Sequence, residues 1–116
     1  MLFRSVAANI PAANLALHFH DTYGQALANL YAGMEEGVRV IDSAAGGLGG
    51  CPYAPGATGN VATEDVVYML EGMGVRTGID LDKLVDCGRL ASTFVGHEVP
   101  SKYYRAAIGA RSRSAG

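Results

Sequence analysis

Apolar and polar residues alternate along this chain with two different periods, and the change of period outlines a strand, a helix and a second strand. In Leu15-Ala16-Leu17-His18-Phe19-His20 the large apolar residues take the odd positions. Period-2 geometry puts Leu15, Leu17 and Phe19 on one face and Ala16, His18 and His20 on the other. The period then lengthens: Leu27, Leu30, Tyr31 and Met34 fall at i, i+3, i+4 and i+7, a single apolar helix stripe. Thr22 and Gln25 stand ahead of it as a capping box, and Gly37 closes it. Val38-Arg39-Val40-Ile41-Asp42 reads as the second strand. This order is a βαβ unit, and such units belong to parallel sheets.

Residues 2–9 read as the tail of a helix, with Leu2, Val6 and Ile10 at i, i+4 and i+8 and no capping residue ahead of them. A further helix is predicted from Thr63, whose hydroxyl would cap it while Glu64 and Asp65 suit the positive end of its dipole. Val66, Leu70 and Met73 would bury it, and Gly74 would end it. A last helix runs from Asp80, with Leu81, Leu84, Val85 and Gly88 on one face, and fades near Gly96; Cys87, inside the pattern, reads as core. From Arg105 the chain is small, polar and basic, with too little apolar surface to offset ordering entropy, so 105–116 is predicted to be a loose tail.

The 116 residues are 49% hydrophobic and 17% charged with a net charge of -2, which suits one domain with a small core. No run approaches the roughly 18 apolar residues of a membrane span. Mild acidity argues against nucleic acid, which would want a basic stripe. Two cysteines are too few for a disulfide framework and point to a reducing compartment. The absence of acidic residues before Asp21 resembles a transit peptide, but Arg4 is the lone basic residue there and a strand pattern begins by Leu15. Glycines cluster at Gly46–Gly50, Gly56–Gly59 and Gly72–Gly78, marking shaped loops.

Chemistry concentrates at two places. Side chains at i and i+2 of a strand lie roughly 7 Å apart at the backbone, so His18 and His20 can converge on one cation; the plainer alternative is a pair of hydrogen-bonded core histidines. Asp21 follows either to orient them or to start the next helix. In Gly46-Gly47-Leu48-Gly49-Gly50-Cys51-Pro52-Tyr53, glycines bring backbone close to a ligand and allow movement. Cys51 there is a nucleophile, an acid/base or a buried filler. Asn60 offers an amide oxygen to a hard cation or serves a turn. His97, without a partner, reads as solvated surface.

His18-Phe19-His20-Asp21-Thr22-Tyr23-Gly24-Gln25-Ala26-Leu27-Ala28-Asn29, Leu48-Gly49-Gly50-Cys51-Pro52-Tyr53-Ala54 and Gly59-Asn60-Val61-Ala62-Thr63-Glu64-Asp65 together resemble the hydroxymethylglutaryl-CoA lyase family. The resemblance runs from about Ile10 to Leu90 without a gap. It implies an α/β chain that is the C-terminal fragment of a (β/α)8 TIM-type barrel, over 1–104, followed by the tail. It implies that His18, His20 and Asn60 bind a divalent cation, Mg²⁺ or Mn²⁺, and that Cys51 takes part in proton transfer. Asp21, Gly49, Gly50 and Glu64 would serve substrate or support the ligands. The implied reaction cleaves 3-hydroxy-3-methylglutaryl-CoA to acetyl-CoA and acetoacetate, a step of leucine catabolism and ketone-body formation. The full-length form is implied to be a homodimer, cytoplasmic in a bacterium or in the mitochondrial matrix of a eukaryote, with no nucleic-acid or membrane partner.

Two departures stand out. Ala44-Ala45-Gly46 replaces the family's Ser-Val-Ala, which should only loosen the loop. A full barrel takes about 250 residues, and the family's first-strand arginine and metal-binding aspartate, with the acidic residue thought to assist them, have no counterpart here. Met1 is therefore expected to be an internal codon or a gene-boundary artefact, which the genomic sequence upstream would decide. Rival readings are a Claisen-type barrel enzyme of the homocitrate or isopropylmalate synthase kind, which shares the His-x-His strand, and a non-catalytic remnant. A partial parallel sheet has an open edge and an apolar inner face. The isolated 116-residue chain is accordingly predicted to be inactive and to self-associate or aggregate; lyase-like turnover by the purified polypeptide would refute this.

Overall fold

Alternation of side chains along the first strand decides how the fold assembles. In the computed structural model, which describes residues 2–50, 56 and 58–116, α1 (Leu2–Ala7) and a 3-10 turn lead to β1 (Ala16–His18). There follow α2 (Ala26–Glu35), β2 (Val40–Asp42), a 3-10 turn over Ala45–Gly47, α3 (Thr63–Gly72), α4 (Leu81–Val95) and α5 (Lys102–Ser114). β1 and β2 pair in parallel, with Ala16 opposite Val40, Leu17 opposite Ile41 and His18 opposite Asp42. Leu17 is buried, whereas Ala16, His18, Val40 and Asp42 all face the open side of the sheet.

Helix α2 covers the closed side. Its apolar stripe is narrower than the sequence suggests: Ala26 and Leu30 are fully buried, but Tyr31 is 46% exposed. The cause is the close approach of helix and strand at Gly33, where a β-carbon would come within 2.6 Å of Leu17 Cδ1. With Ala26, Leu30 and Gly33 turned to the sheet, Tyr31 rotates outward. Leu17, Ala26, Leu30 and Val38 then join Val61, Val66 and Leu70 in the main core. Helix α1 adds little to it, since Val6 and Ile10 are exposed, and the Arg4–Glu36 ion pair ties it down at 2.7 Å.

Residues 59–63 lace the C-terminal ends of both strands. The Asp21 N–H donates to the Gly59 carbonyl and the Val61 N–H to that of Phe19, while the N–H groups of Ala44 and Thr63 donate to the carbonyls of Val61 and Ala44. Two capping expectations fail here. Thr22 and Gln25 form no capping box; helix α2 starts at Ala26, whose N–H donates to Asp21 Oδ1 at 3.1 Å across the intervening turn. Thr63 is the first helical residue and not the cap, and its hydroxyl meets Ser43 Oγ at 2.9 Å.

The expected loose tail is helix α5. Ser101 caps it by accepting from the Tyr104 N–H, and the buried Asp65 accepts from Ser101 Oγ (2.9 Å), the Lys102 N–H (3.1 Å) and the Tyr103 N–H (2.8 Å). Tyr104 enters a second core with Val85 and Val99, and Arg111 bridges Asp82 and Asp86 on α4. A few anchors and a cap supplied 36 residues away offset the ordering entropy that composition alone could not. Cys87 is likewise corrected: it is exposed, because α4 turns Val85 and Gly88 inward. Asp80 caps that helix, and Gly96, in the left-handed conformation, ends it.

Asp65→Ala removes the shared acceptor of three donors. It is expected to cost about 2–4 kcal/mol, more than an ordinary cap, because the buried Ser101 hydroxyl and two part-buried N–H groups lose their partner together. Urea unfolding of the purified protein measures this, and an unchanged midpoint would show that α5 is not held through Asp65.

Candidate functional site

The parallel register sets His18 and Asp42 side by side at the strand ends, where α/β proteins build their sites. His18 Nδ1 lies 2.7 Å from Asp42 Oδ2, a contact that fixes the ring and leaves Nε2 free to act as a ligand. The His18 and His20 rings stand edge to face with centroids 5.4 Å apart. His20 forms an antiparallel bridge with Asn60, so the three predicted ligands meet at one end of the sheet. Asn60 commits its amide N–H to the Leu48 carbonyl at 3.0 Å, which leaves its side-chain oxygen available to a cation.

Two imidazoles and an amide oxygen form a mixed nitrogen and oxygen set of the kind that suits a divalent cation. Among the described residues no group of three or more His, Cys, Asp and Glu side chains is arranged to hold a metal ion.

Of the two roles open to it, Asp21 takes that of starting the next helix; among the described residues its carboxylate bonds Ala26 and Lys102 and neither histidine. Its Oδ1 starts α2, its backbone carbonyl accepts from Thr58 Oγ1 at 3.0 Å, and its Oδ2 receives the Lys102 ammonium at 2.7 Å. Hydrogen bonding to this carboxylate raises the Lys102 pKa against the opposing effect of burial.

The glycine loop is shaped by contact between backbones. Gly46, Gly47 and Gly49 all have positive φ, and a β-carbon on Gly59 would collide with the Gly49 carbonyl. Gly49 passes so close to Asn60 that a β-carbon there would lie 2.7 Å from Nδ2. Gly50 pairs with Thr58, so the segment carrying Cys51 begins and ends at bonded residues; Cys51 itself lies outside the described residues. Beside the loop is an open cleft of about 390 Å³, whose lining includes Gly47, Gly49, Thr58, His97 and Glu98. His97 is exposed, as expected, with Nδ1 3.0 Å from the Glu98 carbonyl.

Glu64 does not reach the histidines. Its fully buried carboxylate accepts the Gly46 N–H at 2.9 and 2.8 Å, so it holds the turn from which the glycine loop departs. Three residues of this arrangement escaped sequence reasoning. Asp42 carried a signal, since it ends the strand that follows the histidine strand; Asp65 and Lys102 carried none, because their partners lie far along the chain.

The HMGL-like family model matches residues 1–91. Over 111 residues the chain is 52% identical to a mouse protein named 3-hydroxy-3-methylglutaryl-CoA lyase, cytoplasmic, covering 96% of this chain and 32% of that one. It is also 52% identical over 107 residues to a Pseudomonas aeruginosa 3-hydroxy-3-isohexenylglutaryl-CoA/hydroxy-methylglutaryl-CoA lyase, covering 92% and 36%. The crystal structure of a hydroxymethylglutaryl-CoA lyase from Pseudomonas aeruginosa superposes with a TM-score of 0.89 at 52% identity, covering 93% of this chain and 36% of that one. The chain thus spans about a third of the length of the relatives it matches, and its βαβ architecture is part of a (β/α)8 barrel.

Burial, with a smaller push from Asp65, lifts the Glu64 carboxyl above its ordinary value of 4.5, against the lowering pull of the backbone N–H groups of Glu64 and Gly46. A carboxyl raised on folding binds more protons folded than unfolded, so its contribution is fully present below 4.5 and is lost as pH rises through the raised value. Glu64→Gln keeps an acceptor for Gly46 and carries no charge. Urea midpoints measured from pH 4 upward are expected to fall less with pH in the variant than in the wild type; coincident profiles would overturn this.

Proposed function

The chain belongs to the HMGL-like family, and on that premise we propose that it is part of a metal-dependent lyase that cleaves 3-hydroxy-3-methylglutaryl-CoA to acetyl-CoA and acetoacetate. The observation that carries this reading is the bridge between His20 and Asn60 beside the His18–Asp42 contact, which supports a ligand set of two imidazoles and one amide oxygen. Bound to His18, His20 and Asn60, Mg²⁺ or Mn²⁺ would polarise the substrate oxygens and lower the pKa of its tertiary hydroxyl.

The chain's own residues supply orientation and a proton. Asp42 holds His18 through Nδ1, which leaves Nε2 for the cation, and Asp21 holds the turn after His20. A base from the part of the barrel outside this chain would take the hydroxyl proton, so that the carbonyl of acetoacetate forms as the carbon-carbon bond breaks and the electron pair passes to the acetyl-CoA fragment. Cys51 then donates its thiol proton to that carbanion. Glu64, through Gly46, sets the direction of the loop in which Gly49 and Gly50 precede Cys51 and approach the substrate.

In the whole protein this site belongs to a homodimeric barrel that acts in leucine catabolism and ketone-body formation. It would work in the cytoplasm of a bacterium or in the mitochondrial matrix of a eukaryote.

The test expresses the complete reading frame and follows acetyl-CoA and acetoacetate. Cleavage is expected to stop on chelation, to return with Mg²⁺ or Mn²⁺, and to fall about 10²–10⁴-fold in Cys51→Ser. Offering the longer 3-hydroxy-3-isohexenylglutaryl thioester alongside defines the acyl group. A metal-loaded protein inert towards both thioesters but able to condense acetyl-CoA with a 2-oxo acid would replace the lyase reading with the synthase one.

A further inference from the structure

We propose that Lys102 on α5 is a positioning residue for the cation site, fixing through its ion pair with Asp21 the turn that separates His20 from helix α2. The proposal rests on the cation-site reading and extends it to a helix beyond residues 1–91, where the family model matches.

Asp21 is the junction of everything near the histidines. Its N–H bonds Gly59, its carbonyl accepts from Thr58 and its Oδ1 from Ala26, so its backbone and one carboxylate oxygen are already fixed. The remaining oxygen, Oδ2, meets Lys102 Nζ at 2.7 Å across 81 positions of sequence. The Asp21 side chain is only 14% exposed, so its charge is largely removed from water and gains from a cationic partner. Lys102 does not arrive there by chance rotation of a free chain end. Asp65 binds its backbone N–H and that of Tyr103, and Ser101 Oγ as well, which fixes the first turn of α5 beneath Asp21.

The geometric consequence concerns the ligands. Asp21 directly follows His20, while its partners Thr58 and Gly59 directly precede Asn60. The carboxylate of Asp21 joins Ala26 to Lys102, while the backbone of the same residue bonds Gly59 and Thr58 beside the His20–Asn60 bridge. Lys102 thereby restrains the one residue that ties the His20 segment to the Asn60 segment.

The experiment uses the product of the complete reading frame, stripped of metal and titrated with Mn²⁺, with binding read by calorimetry and melting temperature recorded alongside. Lys102→Met is expected to weaken Mn²⁺ binding about 10-fold, a loss typical of residues that orient metal ligands, with only a small fall in the metal-free melting temperature, because the Lys102 side chain itself is 70% exposed. Lys102→Arg keeps the charge and is expected to restore binding. Asp21→Asn retains an acceptor for Ala26 and removes the ion pair from the other side; adding Lys102→Met to it should weaken binding no further. Unchanged Mn²⁺ affinity in Lys102→Met overturns the proposal. So does a matching loss of stability that Lys102→Arg fails to rescue, or full additivity with Asp21→Asn. Wild-type protein that binds no Mn²⁺ overturns the cation-site reading and the proposal with it, whereas binding by the wild type with an indifferent Lys102→Met removes the proposal alone.

Discussion

A carboxylate removed from water must be met by N–H donors, and at the start of α3 two consecutive ones are. Glu64 accepts the Gly46 N–H and Asp65 accepts three donors at the start of α5. The pair therefore joins the glycine turn after β2 to the C-terminal helix through one rigid helical start. Backbone geometry around them leaves little room: a β-carbon at Gly88 would lie 3.0 Å from Glu64 Oε1 and 2.9 Å from Tyr104. The packing of α4 and α5 and the path of the glycine loop are thus set by the same two side chains.

The site is organised mainly by main-chain bonds. Residues 59–63 bond to the ends of both strands, so strand register and loop position cannot change independently. His18 and Asp42 inherit their contact from that register, and His20 and Asn60 from the bridge beyond it. Both side chains of the His18–Asp42 pair are more than half exposed, so its Coulombic attraction contributes little to stability. Its value is directional, as it selects which imidazole nitrogen is left for chemistry.

The strand-helix-strand unit was legible because period and length agree over residues 15–42, and the helices from 63 and 81 because apolar spacing and acidic starts coincide. The grouping of His18, His20 and Asn60 was legible from strand parity and resemblance. What failed did so where distant partners decide. Thr22 lost its cap to Asp21, Tyr31 was turned out by the close approach of Gly33 to Leu17, and helix α5 is held by Asp65 and by Arg111. No local pattern encodes a cap donated from another helix. Asp42 was readable in principle, since two parallel strands of known register would have paired it with His18.

The Gly50–Thr58 pair has a consequence for how such a loop can change over time. Both margins of the intervening stretch are anchored to each other and, through Asn60 and Leu48, to the ligand end of the sheet. A side chain at Gly49 would strike Asn60 Nδ2 and one at Gly59 the Gly49 carbonyl, so the two margins can change only together.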